Sequence, residues 1–162
     1  MANLNFIHPS LPEGLAIRVV TLHPGRHDEI LSCTAMSCPL NETPPYDALS
    51  YLWVDEINPK TIQLNGQPFL IRQNLWCFLR RLRQEEKSLP LWCDMLCIDQ
   101  NNLAERGQQV RLMGDMYKRA HAVRMWLGEE SNGSTEVLRF LKYLWHCADV
   151  PCLLYTSPSP RD

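Results

Sequence analysis

Residues 91–101 read LWCDMLCIDQN, and this stretch decides the predicted fold. Apart from Asp94, residues 91–98 form an apolar run of strand length that follows Pro90. A run without polar alternation is typical of a strand covered on both faces in the middle of a parallel sheet. We therefore predict residues 91–98 to be a central parallel strand.

The segments on the C-terminal side alternate between helix and strand patterns. Asn102 is a good N-cap for a helix, whose predicted apolar stripe is Val110, Met113, Met116, Tyr117 and Ala120. Residues 122–127 (AVRMWL) follow as a strand that Gly128 stops. A last helix is predicted over residues 134–146, with Val137, Leu138, Leu141, Leu144 and Trp145 facing inward.

The N-terminal side is richer in strand signals. After an irregular segment 1–15, strands are predicted over residues 16–22, 30–37 and 46–53. Asn65-Gly66 lies between two short strands and is a strong hairpin signal. Asn74 is the predicted N-cap of a helix that buries Leu75, Phe78, Leu79 and Leu82. Residues 16–150 thus predict one α/β domain: an open, largely parallel sheet with helices on both faces, plus an N-terminal antiparallel and hairpin extension.

Composition excludes several classes of protein. The formal net charge is -2, so no basic field is available for nucleic acid. No segment resembles a membrane span or a secretion signal, so we expect no membrane contact and a cytoplasmic location. The seven cysteines contain no CxxC pair, which favours reduced thiols over disulfides. The histidines and cysteines show no ligand spacing, and no metal site is predicted.

The tail differs from the rest of the chain. Residues 152–162 read CLLYTSPSPRD, which matches the conceptual translation of a transposon-end sequencing adapter in one frame. We expect this segment to be a translated adapter artefact that packs against nothing, so that the domain is truncated at its C-terminal end. A natural disordered terminus is the alternative.

Three blocks carry a resemblance to a known family. Residues 46–55 (YDALSYLWVD) and 91–101 (LWCDMLCIDQN) form the first two. The third comprises Glu105, Arg106, Gln109, Val110, Met113, Tyr117, Ala120, Val123, Trp126, Leu127 and Gly128. In this order and spacing the blocks resemble the fungal heterokaryon-incompatibility (HET) domain. Val54 departs from that pattern, since the family usually has a glycine there.

The resemblance implies a role in fungal non-self recognition and programmed cell death. It also implies a distant likeness to Toll/interleukin-1 receptor (TIR) domains, and hence a TIR- or flavodoxin-like fold. Some TIR domains of innate immunity self-associate, and some cleave NAD. NAD is therefore a possible substrate, and the resemblance identifies no certain cofactor.

Ligands of open parallel sheets bind beyond the carboxyl ends of the strands. Seven residues are candidates for a ligand site there: Trp53, Asp55, Asp94, Asp99, Gln100, Asn101 and Arg106. Five of these residues have a structural alternative. The tryptophan can line the core, Asp99 and Asn101 suit a turn, Asp94 suits a buried polar network, and Arg106 suits an exposed or paired position.

Glu105 is the candidate catalytic residue. In TIR-like NAD hydrolases a glutamate on the helix after a central strand contacts the nicotinamide ribose, and Glu105 corresponds to it by order of elements. Its alternative role is structural, because Glu three residues after the N-cap Asn102 is the pattern of a capping box.

Two functions remain open at this point. The domain is either a signalling module that self-associates or docks another signalling protein, or an enzyme that kills by hydrolysing NAD. The sequence contains no P-loop and no GxSxG, HExxH or GxGxxG motif that would indicate another chemistry.

Overall fold

The computed structural model describes residues 6–53, 58–129 and 152–157, and it places eight strands in one sheet. The strands are β1 (Ala16–Leu22), β2 (Ser32–Pro39), β3 (Asp47–Tyr51), β4 (Lys60–Leu64), β5 (Gln67–Ile71), β6 (Leu89–Trp92), β7 (Ala122–Glu129) and β8 (Cys152–Ser157). The described helices are α1 (Gln73–Leu82), α2 (Asp94–Cys97) and α3 (Leu103–Arg119), and a 3-10 turn spans Leu40–Glu42. Across the sheet the strands run β5-β4-β2-β1-β6-β3-β7-β8.

The α/β class is confirmed, but the sheet is mixed. β6 lies between β1 and β3, parallel to β3 and antiparallel to β1. The predicted antiparallel pair of β1 and β2 forms. It is not an extension, however, because Val20 pairs with Leu91 and so brings β1 into the middle of the sheet. The placement of helices on both faces stays a prediction.

The prediction of one strand over residues 91–98 is wrong in its second half. β6 ends at Trp92, and Asp94–Cys97 form the short helix α2. Met95 and the two residues after it are all buried. Because these three consecutive side chains are covered, the segment shows no polar alternation, and such a run cannot be distinguished from a strand by its pattern.

The hairpin is confirmed in detail. Asn65 and Gly66 have φ of 51° and 75°, as a type I′ turn requires. The apolar face predicted for α1 is also confirmed, since all four of its residues are buried. The predicted cap is wrong, because the N-cap position is occupied by Arg72 without a side-chain hydrogen bond, and Asn74 lies inside the helix.

The cap of α3 is confirmed, and its apolar stripe is confirmed in part. Asn102 Oδ1 accepts a hydrogen bond from the Glu105 backbone N–H at 3.1 Å. Met116 is buried, and Met113, Tyr117 and Ala120 pack against the core. Val110 is exposed instead, while Gln109 and Leu112 are buried. The strand predicted to stop at Gly128 continues to Glu129, with Gly128 at φ 102°.

The expectation that the tail packs against nothing is wrong for residues 152–157. This segment pairs in parallel with β7, with Val123 opposite Cys152. Without it β7 would present an unpaired edge, and the LLYT stretch has the β-propensity to cover one. The origin of the tail in an adapter stays a prediction. The helix predicted over residues 134–146 lies outside the described residues.

Cys33, Cys93 and Cys97 are buried, whereas Cys38 and Cys77 are partly exposed. Cys33, Cys38, Cys77, Cys93 and Cys97 are free thiols. Burial raises the pKa of Cys33 and of Cys97 to about 12, so these thiols are protonated at neutral pH and poorly reactive. Among the described helices, none has the length and apolar character to cross a membrane.

Candidate functional site

The carboxyl ends of β3 and β6 form the edge where the sequence placed a ligand site. The two strands are parallel and adjacent, with Ala48 opposite Trp92. Among the acidic residues that follow β6 here are Asp94 in α2 and Glu105 in α3. The side chains around these two carboxyl groups differ. We refer to the first group of residues as the Asp94 cluster, which comprises Tyr51, Trp53, Arg72, Asn74 and Asp94. We refer to the second as the Arg18–Glu105 pair.

Asp94 is held by hydrogen bonds from Tyr51 and from the backbone. The Tyr51 hydroxyl donates to Asp94 Oδ1 at 3.0 Å, and the Met95 backbone N–H donates to the same oxygen at 2.8 Å. The Trp53 side chain also lies close to the carboxyl group. Burial raises the pKa of Asp94, and these hydrogen bonds only partly oppose the effect. Burial likewise holds the pKa of Tyr51 well above its ordinary value.

The end of β3 is fixed to the start of α1. The Arg72 guanidinium lies 4.8 Å from the centroid of the Trp53 ring, in a cation–π contact. Asn74 Nδ2 donates to the Leu52 carbonyl at 2.8 Å, and Trp126 Nε1 of β7 donates to Asn74 Oδ1 at 2.5 Å. Asn74 therefore joins three elements at this edge, so that the interpretation as a cap missed its role.

Glu105 is half of a buried ion pair. Its two carboxylate oxygens accept from Arg18 Nη1 at 2.5 Å and Nη2 at 3.0 Å. Arg18 is 2% exposed, and it also donates to the carbonyls of Pro9 and Cys97. The Asp99 backbone N–H adds a third bond to Glu105 at 2.8 Å.

The pKa of Glu105 follows from these contacts. Burial alone would raise it, but the hydrogen bonds from Arg18 and Asp99 and the charge of Arg18 outweigh burial, and the pKa is lowered. The predicted capping box is half formed, because Asn102 accepts from the Glu105 backbone while the Glu105 carboxylate turns to Arg18. A carboxylate neutralised by arginine has little charge left to stabilise a developing cation. The geometry thus favours the structural interpretation of Glu105.

The remaining candidate residues lie in the turn after α2 or on the surface of α3. Asp99 Oδ1 accepts from the Asn101 backbone N–H at 3.0 Å, the turn that was the alternative interpretation. Gln100 Nε2 donates to the Asp94 carbonyl at 3.1 Å, which ties the turn to α2. Arg106 lies on the exposed side of α3. Asp55 and Val54 lie outside the described residues.

Arg18 is the functional neighbour that sequence reasoning missed. It is a single charge inside the apolar strand AIRVVTL, and a buried charge needs a partner. The same signal drew attention to Asp94. A charged residue within a strand also occurs at Asp47 in β3 and at Arg124 in the neighbouring strand β7. Arg124 Nε lies 2.5 Å from Asp47 Oδ2.

Asp94 therefore takes part in none of the ion pairs seen between described residues, and it lies next to a partly exposed indole. The Trp53 side chain is 40% exposed. The Tyr51 hydroxyl connects β3 to Asp94 through its hydrogen bond. Within the residues described, no three His, Cys, Asp or Glu side chains come close enough to hold a metal ion.

Comparisons with known proteins agree with the blocks at this edge. The family model described as heterokaryon incompatibility protein (HET) matches residues 46–152. Heterokaryon incompatibility protein 6, OR allele, of Neurospora crassa is 35% identical over 136 residues, which cover 75% of this chain and 20% of that protein. The chain thus spans about a fifth of the length of this relative. No solved structure gives a significant match. On the family match and this identity, the chain belongs to the fungal heterokaryon-incompatibility (HET) family.

Proposed function

We propose that this domain acts in fungal heterokaryon incompatibility, as a signalling domain in non-self recognition and programmed cell death. The family match over residues 46–152 is the observation that carries the proposal. The relative from Neurospora crassa is named for the same process. This chain covers only a fifth of that protein, so the role of the whole protein is not carried over.

In this proposal the domain works in the cytoplasm by self-association or by docking another signalling protein. The described acids support a mode without catalysis. Glu105 is neutralised by Arg18, and Asp94 is surrounded by donors that belong to the domain itself. Both carboxylates therefore hold the edge of the sheet together.

Expression of the chain in a fungal host, with counting of viable cells, tests the mode of action. Asp94→Asn keeps the acceptor oxygen for Tyr51 and removes the charge, and Arg106→Gln is the matched control on the exposed surface. A scaffold keeps its killing in both variants. Loss of killing in a well-folded Asp94→Asn protein, with Arg106→Gln active, would overturn the scaffold mode.

The alternative is an NAD-hydrolysing effector with a TIR-like fold and helices on both faces of the sheet. One observation favours it: an acid of raised pKa lies beside a partly exposed tryptophan at the carboxyl edge of parallel strands. An indole there is suited to stacking on a nicotinamide ring, and Asp94 rather than Glu105 would be the acidic group.

The test is to incubate the purified chain with NAD and to measure the release of nicotinamide. Asp94→Asn is the matched variant, and a reaction without protein is the blank. The signalling proposal predicts no release above the blank. Release that Asp94→Asn abolishes would establish the enzyme and replace the scaffold mode.

A further inference from the structure

The chain that precedes β1 is attached to the sheet at two places. At one end of residues 6–9, the Phe6 ring packs edge-on against Phe69 of β5, with the ring centroids 5.0 Å apart. At the other end, the Pro9 carbonyl accepts a hydrogen bond from Arg18 Nε of β1 at 2.6 Å. In the sheet, β4 and β2 lie between these two strands. We refer to residues 6–9 as the N-terminal strap.

The strap belongs to the surroundings of the Arg18–Glu105 pair. The Arg18 guanidinium donates to acceptors on three segments, namely the Pro9 carbonyl, the Cys97 carbonyl and the Glu105 carboxylate. Arg18 is buried, and a buried guanidinium needs acceptors for its N–H groups. The strap therefore supplies one of the contacts that keep this charge buried.

His8 lies between the two attachment points of the strap. Its ring is edge-on to Phe6 at 4.9 Å and to Phe69 at 6.0 Å between centroids. Its Nδ1 is buried and has no hydrogen-bond partner among the described residues. In the neutral ring one nitrogen carries no proton, whereas a protonated ring carries an N–H on both nitrogens. Protonation of His8 would thus bury a charged N–H donor without an acceptor, which is costly.

The charges around His8 come from three elements. Burial lowers the pKa of His8, and the charge of Arg18 on β1 lowers it further. Asp99, in the turn after α2, and Glu105 on α3 act in the opposite direction, but the pKa stays below its ordinary value. The strand β5, which reads QPFLI, carries no titratable residue. The closed strap therefore favours the neutral ring.

We propose that residues 6–9 are a pH-sensitive strap, which closes over the Arg18–Glu105 pair when His8 is neutral and opens when His8 takes up a proton. Opening removes the Pro9 carbonyl from Arg18 and leaves the ion pair in place. The closed form is fully favoured above the ordinary histidine pKa of about 6.5, and it is lost as pH falls below that value. The proposal concerns the strap alone, so it holds or fails independently of the signalling function.

Cleavage of the full chain by chymotrypsin after Phe6 measures the opening, because proteolysis tracks the population of the open form. Each rate is divided by that of a free peptide of residues 3–12 at the same pH, which removes the pH dependence of the protease. Between pH 7.5 and pH 5.5 this ratio should rise by about three- to tenfold. An unchanged ratio would overturn the proposal. So would cleavage after the buried Phe78 that rises in parallel, since that would show unfolding of the whole domain.

Two histidine variants assign the effect. His8→Phe keeps an uncharged ring beside Phe6 and Phe69, and its ratio, taken against a peptide with the same change, should not depend on pH. The substitution adds no cleavage site, because the next residue is proline. His27→Gln, at an exposed histidine between β1 and β2, is the matched control and should behave as the parent chain does. An equal rise in His8→Phe and in the parent chain would overturn the role of His8.

A third variant tests the attachment to β5. Phe69→Leu keeps an apolar side chain and removes the ring against which Phe6 and His8 pack. Loss of an aromatic pair should raise the cleavage ratio about two- to tenfold at pH 7.5, where His8 is neutral. A ratio equal to that of the parent chain at this pH would show that these rings do not hold the strap closed, and would overturn the proposal.

Discussion

Glu105 and Asp94 both lie near the carboxyl ends of the strands, but their surroundings shift their pKa values in opposite directions. Glu105 faces a buried arginine, which holds its pKa below the ordinary value. Asp94 faces the Tyr51 hydroxyl and backbone N–H groups, and burial raises its pKa. The partner of a carboxyl group at this location thus decides whether its pKa is lowered or raised. For Glu105 that partner lies 87 residues away in the sequence.

The largest expected effect is the loss of the charge on Glu105. Glu105→Gln leaves Arg18 buried without its counter-ion, and breaking one side of a buried pair costs about 3 kcal/mol or more. Urea unfolding measures the change. Arg106→Gln, in the same turn but exposed, is the control and should change the free energy of unfolding by less than about 0.5 kcal/mol. A similarly small loss for Glu105→Gln would contradict the anchor role.

The next effect concerns the Asp94 side of the edge. Asn74→Ala removes the acceptor of Trp126 Nε1 and the donor to the Leu52 carbonyl. Two hydrogen bonds of ordinary strength are worth about 1–3 kcal/mol together, and urea unfolding should show a loss in that range. Gln73→Ala, at an exposed neighbour, is the control. An Asn74→Ala loss equal to that of the control would mean that Asn74 does not join β3 to β7.

The Arg18–Glu105 pair should make the stability of the chain depend on pH in the acidic range. The folded pKa of Glu105 is depressed, so its contribution is fully present above the unfolded pKa of roughly 4.3. It is lost as pH falls through the lower folded pKa. Thermal melts between pH 6 and pH 3 should therefore drop less steeply in Glu105→Gln than in the parent chain. Identical slopes would show that the pair contributes no pH dependence.

The smallest expected effect is a gain. Asp94 has a raised pKa, which means that the folded state favours its neutral form. Asp94→Asn mimics that form and should stabilise the chain at pH 7, by less than about 1 kcal/mol. The gain should shrink as pH falls through the folded pKa of Asp94, because the parent carboxyl then becomes neutral as well. A loss of stability at pH 7 would indicate that the charge of Asp94 has an undetected partner.

Local sequence signals predicted local structure well. The Asn65-Gly66 turn requires positive φ at both residues, and both have it. The buried face of α1 followed from helical spacing alone. The sheet order could not be predicted this way, because no local sequence pattern indicates that β1 pairs with β6 and makes the sheet mixed.

The sequence predicted where the site lies, but not which residues contact one another there. Asp94, Trp53 and Glu105 all lie near the predicted edge, whereas Arg18 and Asn74 were not anticipated. Arg18 acts through contacts that are distant in the sequence, and only its isolation in an apolar strand gave a signal. Residues 94–97 were predicted as strand because burial on all sides hides the helical period.

The coupling between Arg18 and Glu105 tests the account's central claim most directly. The measurement is a double-mutant cycle of Arg18→Met, Glu105→Gln and the double variant, followed by urea unfolding. We predict that each single variant is strongly destabilised and that the double variant is far less so than their sum, with a coupling of about 1–3 kcal/mol. Additive losses, with no coupling, would contradict the claim that Glu105 is a structural anchor and would return it to the candidates for catalysis.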